Sequence, residues 1–236
     1  GGGRARAYGA HAGGLTRAGH AVTELPATAL TEAACFDVVV LANPNNPTAE
    51  CFEPRTLLAM NDRLPPGGWL VVDEAFIDAT PAASLASHGV RTGLIVLRSL
   101  GKFFGLAGAR VGFVLAPSDL LRTLADVLGP WPLAGPARCV ARAALNDRLW
   151  QARMRTALPA QAARLRALLT AHGLPPGGGC ALFQWLCTPH AAVVHDALAR
   201  HGILTRLFAQ PASLRFGLPA TETDWQRLDQ ALDRCG

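Results

Sequence analysis

Lysine occurs once in this 236-residue chain, at Lys102, although lysine and arginine together number 22. Arginine serves wherever a fixed positive charge is enough. A solitary lysine therefore draws attention to chemistry that arginine cannot perform, such as adding its amine to an aldehyde to form a Schiff base. Lys102 ends the run Ser99-Leu100-Gly101-Lys102 and is followed by Phe103-Phe104-Gly105-Leu106-Ala107-Gly108-Ala109-Arg110-Val111-Gly112. Ser99 and Arg110 place a hydroxyl and a guanidinium on either side of the lysine, a pairing that suits a dianionic phosphate. The glycines let the backbone come close to a bound group. The GxxxxGK[ST] pattern of a nucleotide P-loop is absent.

Three other patterns carry polar groups at equally telling places. Asn43-Pro44-Asn45-Asn46-Pro47-Thr48 follows an apolar run. Its two Asn-Pro steps force extended or turn backbone and hold short amides at a sheet edge, although a plain loop reads the same way. Proline also makes a cis Asn46–Pro47 bond accessible. Asp73-Glu74-Ala75-Phe76 follows a second apolar run. A carboxylate at the end of a buried strand requires a partner. A protonated ring nitrogen would serve, as would Mg²⁺ or the start of a helix that Asp73 caps. Leu214-Arg215-Phe216-Gly217 puts one arginine on a short apolar strand. A substrate carboxylate fits its fork, and a structural salt bridge to Glu222 or Asp224 is the alternative.

The elements that must position these residues are legible from periodicity. The nearly continuous apolar runs 36–41, 69–72, 94–97 and 111–115 read as buried strands. Segments 8–18, 53–62 and 118–128 read as helices, and 20–25 as a further strand. Alternation of strand and helix predicts an α/β domain with a mostly parallel sheet over 1–150. A Gly/Pro-rich break at 129–136 leads into helices at 137–146 and 147–172, the second kinked by Pro159. The remainder reads β-α-β-β-α, with strands at 179–187, 203–206 and 214–216 and helices at 190–201 and 221–235. It forms a smaller α+β domain within 151–236. Each chemical pattern of the first domain follows a strand, where α/β sheets place ligands.

Composition narrows the function. Half the residues are hydrophobic, ample for a core. No apolar run approaches the roughly 18 residues that span a bilayer, and no leader pattern opens the chain. A cytoplasmic protein that neither enters a membrane nor carries a leader is expected. The formal charge of +5 comes from scattered arginines without aromatic-basic clusters, so no nucleic-acid partner is expected and an anionic small-molecule substrate explains the basic balance as well. Six cysteines lack CxxC or zinc-finger spacing and are expected as buried free thiols, with no metal site.

In their order and spacing, NPNNPT, DEAF, SLGKFFGLAGARVGF and LRFG resemble the motifs of fold-type I pyridoxal-phosphate enzymes, the aspartate-aminotransferase superfamily, along essentially the whole chain. The resemblance implies pyridoxal 5'-phosphate as cofactor and a homodimer. Matched residue by residue, Lys102 is the Schiff-base lysine and Asp73 the partner of the pyridine nitrogen. Asn46 stands beside the ring 3-oxygen and the substrate, Ser99 and Arg110 take the cofactor phosphate, and Arg215 takes the substrate carboxylate. Tyr8 occupies the place of an aromatic residue over the ring, or is an ordinary helix-start aromatic. Phe76 stands where the family commonly has a tyrosine, so the phenol contact to the ring oxygen is missing. Family members also carry further chain before the point where Gly1 stands, including a turn whose amides hold the phosphate at a helix N-terminus. The sequence is accordingly expected to be N-terminally incomplete.

Within the superfamily, DEAFID, SLGKFFGLAGARVGF and GPWPLAGP resemble the cobalamin-biosynthesis branch, the threonine-phosphate decarboxylases. That likeness implies decarboxylation of L-threonine O-3-phosphate, a small phosphorylated amino acid, to aminopropanol phosphate. A histidinol-phosphate-type aminotransferase and a truncated, inactive remnant are the alternatives.

Overall fold

The computed structural model describes residues 2–4, 10–26 and 35–234. Tyr8 and Cys235 lie outside them. The chain forms two compact units. One comprises Gly1–Asn46 and Glu50–Gln151, the other Pro47–Ala49 and Ala152–Gly236.

The first unit runs β1 (Gly2–Arg4), α1 (Ala10–Arg17), β2 (Thr23–Leu25), β3 (Val38–Ala42), α2 (Pro54–Asn61), β4 (Trp69–Asp73), β5 (Leu94–Ser99), β6 (Gly112–Leu115), α3 (Ser118–Leu128) and α4 (Gly135–Asn146). Its sheet has the order β2-β1-β3-β4-β5-β6. All neighbours are parallel except the antiparallel pair β5–β6. The strands form where valine, leucine and isoleucine run almost unbroken, which suits a strand covered on both faces. Val39, Leu41, Leu70, Val72, Leu94 and Val96 enter one core together with Leu57 and Met60 of α2. Leu57 and Met60 are three residues apart and therefore share a helix face. Leu57, Leu70 and Val72 are wholly buried, each burial stabilising the fold by roughly 1.5–3 kcal/mol. Pro54 stands in the first turn of α2, where its missing N–H is not needed.

The register levels the strand ends. Ala42 pairs with Asp73 and Asp73 with Leu97, while Ser99 pairs with Gly112. The chain steps from β1 to β2, then reverses across the sheet through β3, β4 and β5. Such a switch point at carboxyl strand ends is where open α/β sheets hold ligands.

The second unit contains α5 (Arg148–Ala171, which begins in the first), β7 (Gly178–Cys180), β8 (Phe183–Cys187), α6 (Ala191–Arg200), β9 (Arg206–Phe208), β10 (Ser213–Gly217) and α7 (Glu222–Leu232). Its antiparallel sheet has the order β7-β8-β10-β9. Leu186, Leu214 and Phe216 pack one sheet face against Leu165, Leu198 and Leu228 of the helices. A capping box starts α7: Asp224 N donates to Thr221 Oγ1 at 3.2 Å and Thr221 N to the Asp224 carboxylate at 3.2 Å.

The helix expected over 147–172 is present as α5, which continues through Pro159. Buried Ala162, Leu165 and Leu169 anchor it, and packing of an apolar face outweighs the loss of one backbone bond. The strand expected over 179–187 is two strands that turn on Ala181 and Leu182, with Cys180 opposite Phe183. Cys35, Cys51, Cys139 and Cys187 are exposed and Cys180 half-buried. Apolar neighbours in sequence did not bury them: α4 buries only Ala141, and Cys187 is the exposed end of β8. Among the described residues no helix is long and apolar enough to cross a membrane.

Candidate active site

Three strand ends of the first unit bring its chemical patterns together. Asn43 N donates to Asp73 O at 2.8 Å, and Glu74 N to Leu97 O at 2.8 Å, so the segments after β3, β4 and β5 are laced side by side. Asp73 closes β4. Its Oδ1 accepts from Ala75 N at 2.9 Å, and its Oδ2 lies 2.9 Å from His11 Nε2 on α1. The Asp73 side chain is 21% exposed, more open than a buried strand end suggested. It stands at the rim because the chain turns away directly after it.

The next residue points into the fold. Glu74 is wholly buried and accepts from Ser84 Oγ at 2.5 Å and Leu85 N at 2.6 Å. Arg98, adjacent to Ser99, lies 3.7 Å from Glu74 and also binds Asp78. Burial pushes the Glu74 carboxyl above its ordinary value, while the Ser84 and Leu85 hydrogen bonds and Arg98 oppose the shift. This buried cluster ties the end of β4 to the end of β5 behind the exposed groups.

After β5 the chain folds into a tight turn. Gly101 N donates to Ser99 Oγ at 3.1 Å, which leaves the Ser99 hydroxyl proton to donate elsewhere. A Cβ on Gly101 would stand 3.3 Å from that oxygen and 3.4 Å from Ala107 Cα, so glycine suits the site. Buried Leu100, Phe103 and Phe104 anchor the turn, and both phenylalanine rings pack on Trp150. Lys102 is exposed although Phe103 and Phe104 beside it are buried, because those neighbours point inward and the lysine does not. Its Nζ stands 5.4 Å from the centroid of the Phe76 ring, which unites the lysine and Asp73 segments. Arg110 is exposed, adopts a left-handed backbone (φ 54°) and donates Nη1 to Ala107 O at 3.2 Å. A residue with a Cβ holds that conformation only against a penalty of about 1–2 kcal/mol.

Asn46 is half-buried in the loop after β3, and its bond to Pro47 is trans. The cis bond lies instead at Asn43–Pro44, with another at Gln210–Pro211.

Arg215 belongs to the second unit. Leu214 and Phe216 turn into the core and Arg215 to the other sheet face, as strand alternation requires. Its guanidinium carbon stands 5.1 Å from the Phe183 ring centroid. Glu222 pairs with Arg164 and Asp224 with Thr221 and Arg227, so the structural bridges considered for Arg215 are made by other residues. Directly opposite Arg215 on β9 stands Arg206. Both line a cleft of about 450 Å³ with Thr205 and His195, whose Nδ1 is 2.8 Å from Thr205 Oγ1. Burial pushes the Arg215 guanidinium below its ordinary value; Cys180 opposes this and Arg206 adds to it.

His11 and Arg206 were missed in the sequence. His11 meets Asp73 across 62 residues, a pairing no local pattern announces. Arg206 closed an expected strand, and its position opposite Arg215 appears only once register is known.

A mostly parallel sheet with a lysine, a carboxylate and a hydroxyl at its strand ends, joined to a smaller antiparallel unit, defines the pyridoxal-phosphate-dependent transferase fold. Residues 20–234 match the family of class I and II aminotransferases, and the chain belongs to that family. It is 56% identical over 227 residues to a threonine-phosphate decarboxylase of Pseudomonas aeruginosa, covering 95% of this chain and 69% of that protein. To a threonine-phosphate decarboxylase of a Sinorhizobium species it is 42% identical over 231 residues, covering 96% and 68%. Its fold is similar to the crystal structure of histidinol-phosphate aminotransferase from Sinorhizobium meliloti in complex with pyridoxal-5'-phosphate. That match has a TM-score of 0.85 and 23% identity, covering 99% of this chain and 69% of that one.

Proposed function

We propose that this chain is a pyridoxal-phosphate-dependent lyase that decarboxylates L-threonine O-3-phosphate to aminopropanol phosphate in cobalamin biosynthesis. The observation that carries this reading is the 56% identity, over 95% of the chain, to a threonine-phosphate decarboxylase. The first unit is the cofactor domain and the second a smaller substrate domain. Assembly as a homodimer in the cytoplasm belongs to the same reading and rests on the family resemblance.

The donor set fits the cofactor. Lys102 Nζ is the amine to hold its aldehyde. Asp73, braced by His11 and Ala75 N, is the carboxylate to keep a proton on the pyridine nitrogen. Asn46 would contact the ring oxygen, with Phe76 beside it. The Ser99 hydroxyl proton and the Arg110 guanidinium suit the phosphate, and Tyr8 remains the candidate to stack on the ring. When bound, pyridoxal phosphate supplies the electron sink that takes up the bonding pair left when CO₂ departs. Lys102 Nζ would be the candidate to return a proton to Cα. Arg215, half-buried and unable to lose its proton at working pH, would bind the substrate carboxylate. Arg206, directly opposite, would bind the substrate phosphate. Two facing cations suit a substrate with two anionic ends.

The test is product analysis with threonine phosphate. Release of CO₂ and aminopropanol phosphate without any keto acid is the expected result. Turnover that requires 2-oxoglutarate and releases no CO₂ would instead make the chain an aminotransferase.

A further inference from the structure

The loop after β3 is closed at its base and pressed at its tip. Asn43, wholly buried, donates Nδ2 to Phe52 O at 3.1 Å and accepts from Phe52 N at 2.7 Å. Asn45 N donates to Glu50 O at 2.8 Å. The tip, Pro47–Ala49, groups with the second unit, while Asn46 and Glu50 on either side belong to the first. Thr48 is buried, and its carbonyl oxygen presses on β7. A Cβ built on Gly178 would lie 2.3 Å from Thr48 O. The obstacle is backbone, so no side-chain rotation relieves it. Ala49 takes a left-handed φ of 60°, a conformation kept by a residue with a Cβ only where its surroundings enforce it. The neighbouring Gly177 is different: its Cβ would meet Trp185 at an ordinary 3.6 Å.

We infer that Gly178 is a positioning residue for Asn46. The close contact of β7 with the Thr48 carbonyl fixes the loop tip, and the tip fixes where the Asn46 amide stands. This rests on the reading of Asn46 as partner of the cofactor ring oxygen. The link between them is stiff. Proline locks φ of Pro47 near −65° and restricts the residue before it, so few soft torsions separate Thr48 from Asn46. Yielding on the other side is hindered because Gly178 is paired with Trp185 of β8. A methyl group at 178 must therefore displace the loop tip, and Asn46 with it.

The visible absorption band of the cofactor-loaded protein, titrated against pH, reads this directly, because its midpoint responds to hydrogen bonding at the ring oxygen and needs no turnover. Gly178→Ala is expected to move the midpoint in the same direction as Asn46→Ala, by about 0.5–1 pH unit, the scale of one weakened hydrogen bond. The shift should vanish in the Asn46→Ala background, since residues acting through one another are not additive. Gly177→Ala should leave the midpoint in place. If Gly178→Ala does not fold, Pro47→Gly loosens the same link without a clash and carries the same expectation, including cancellation by Asn46→Ala. An unmoved midpoint in the folded variants, or a shift that persists without Asn46, overturns the inference. A wild-type protein that develops no visible band with pyridoxal phosphate overturns the cofactor reading, and this inference with it.

Discussion

Arg206→Gln separates a substrate-binding arginine from a structural one, because its two expected effects have opposite signs. Arg206 and Arg215 stand directly opposite in adjacent antiparallel strands. Like charges so placed oppose strand pairing by roughly 0.2–1 kcal/mol, and solvent at exposed Arg206 holds the effect to the lower end. Glutamine keeps much of the length and removes the charge. The ligand-free variant should therefore be more stable by a few tenths of a kcal/mol, a gain that shrinks as salt screens the pair. Substrate binding should move the other way. A hydrogen bond to a charged group contributes roughly 1.5–3 kcal/mol, which at 1.36 kcal/mol per tenfold is about a 10- to 150-fold loss of affinity. Urea unfolding at low and high salt measures the first effect. Calorimetric titration with threonine phosphate, beside unphosphorylated threonine, measures the second. The loss should be confined to the phosphorylated ligand. A variant that is less stable at low salt and binds both ligands like wild type would refute the assignment of Arg206 to the phosphate.

Lys102→Arg keeps the charge and should abolish borohydride-stable attachment of the cofactor, whereas peptide mapping of wild type should place the label at Lys102; label on another residue ends that assignment. Asp73→Asn should lower turnover by orders of magnitude while leaving the unfolding midpoint nearly unchanged, since the side chain lies at the rim; near-normal turnover would remove Asp73 from the mechanism. Glu74 has its value raised in the folded protein, so folding favours its protonated form. Its contribution is greatest below its ordinary value of 4.5 and declines as pH rises through the folded value. Glu74→Gln is permanently neutral, so the stability of wild type relative to the variant should fall as pH rises from the ordinary value of 4.5 through the raised folded value. A relative stability that rises across this interval would contradict the assigned burial effect.

The sequence by itself determined most of the first unit. Strands β3, β4 and β5 were readable because a strand covered on both faces is written as an unbroken apolar run, and α3 matched its expected span, Ser118–Leu128. It also displayed Lys102, Asp73, Ser99 and Arg215, since each is a polar group of unusual type set against an apolar strand. The tertiary structure decided what those groups meet. His11 reaches Asp73, and Arg206 faces Arg215, through pairing and register that no local window contains. The same holds for exposure. Lys102 and four cysteines sit among apolar residues yet face outward, because burial follows from which elements pack on a surface and not from the neighbours in sequence. Gly178 is the clearest case. In the sequence it is one of three consecutive glycines; only the approach of the Thr48 carbonyl shows why a Cβ has no room there.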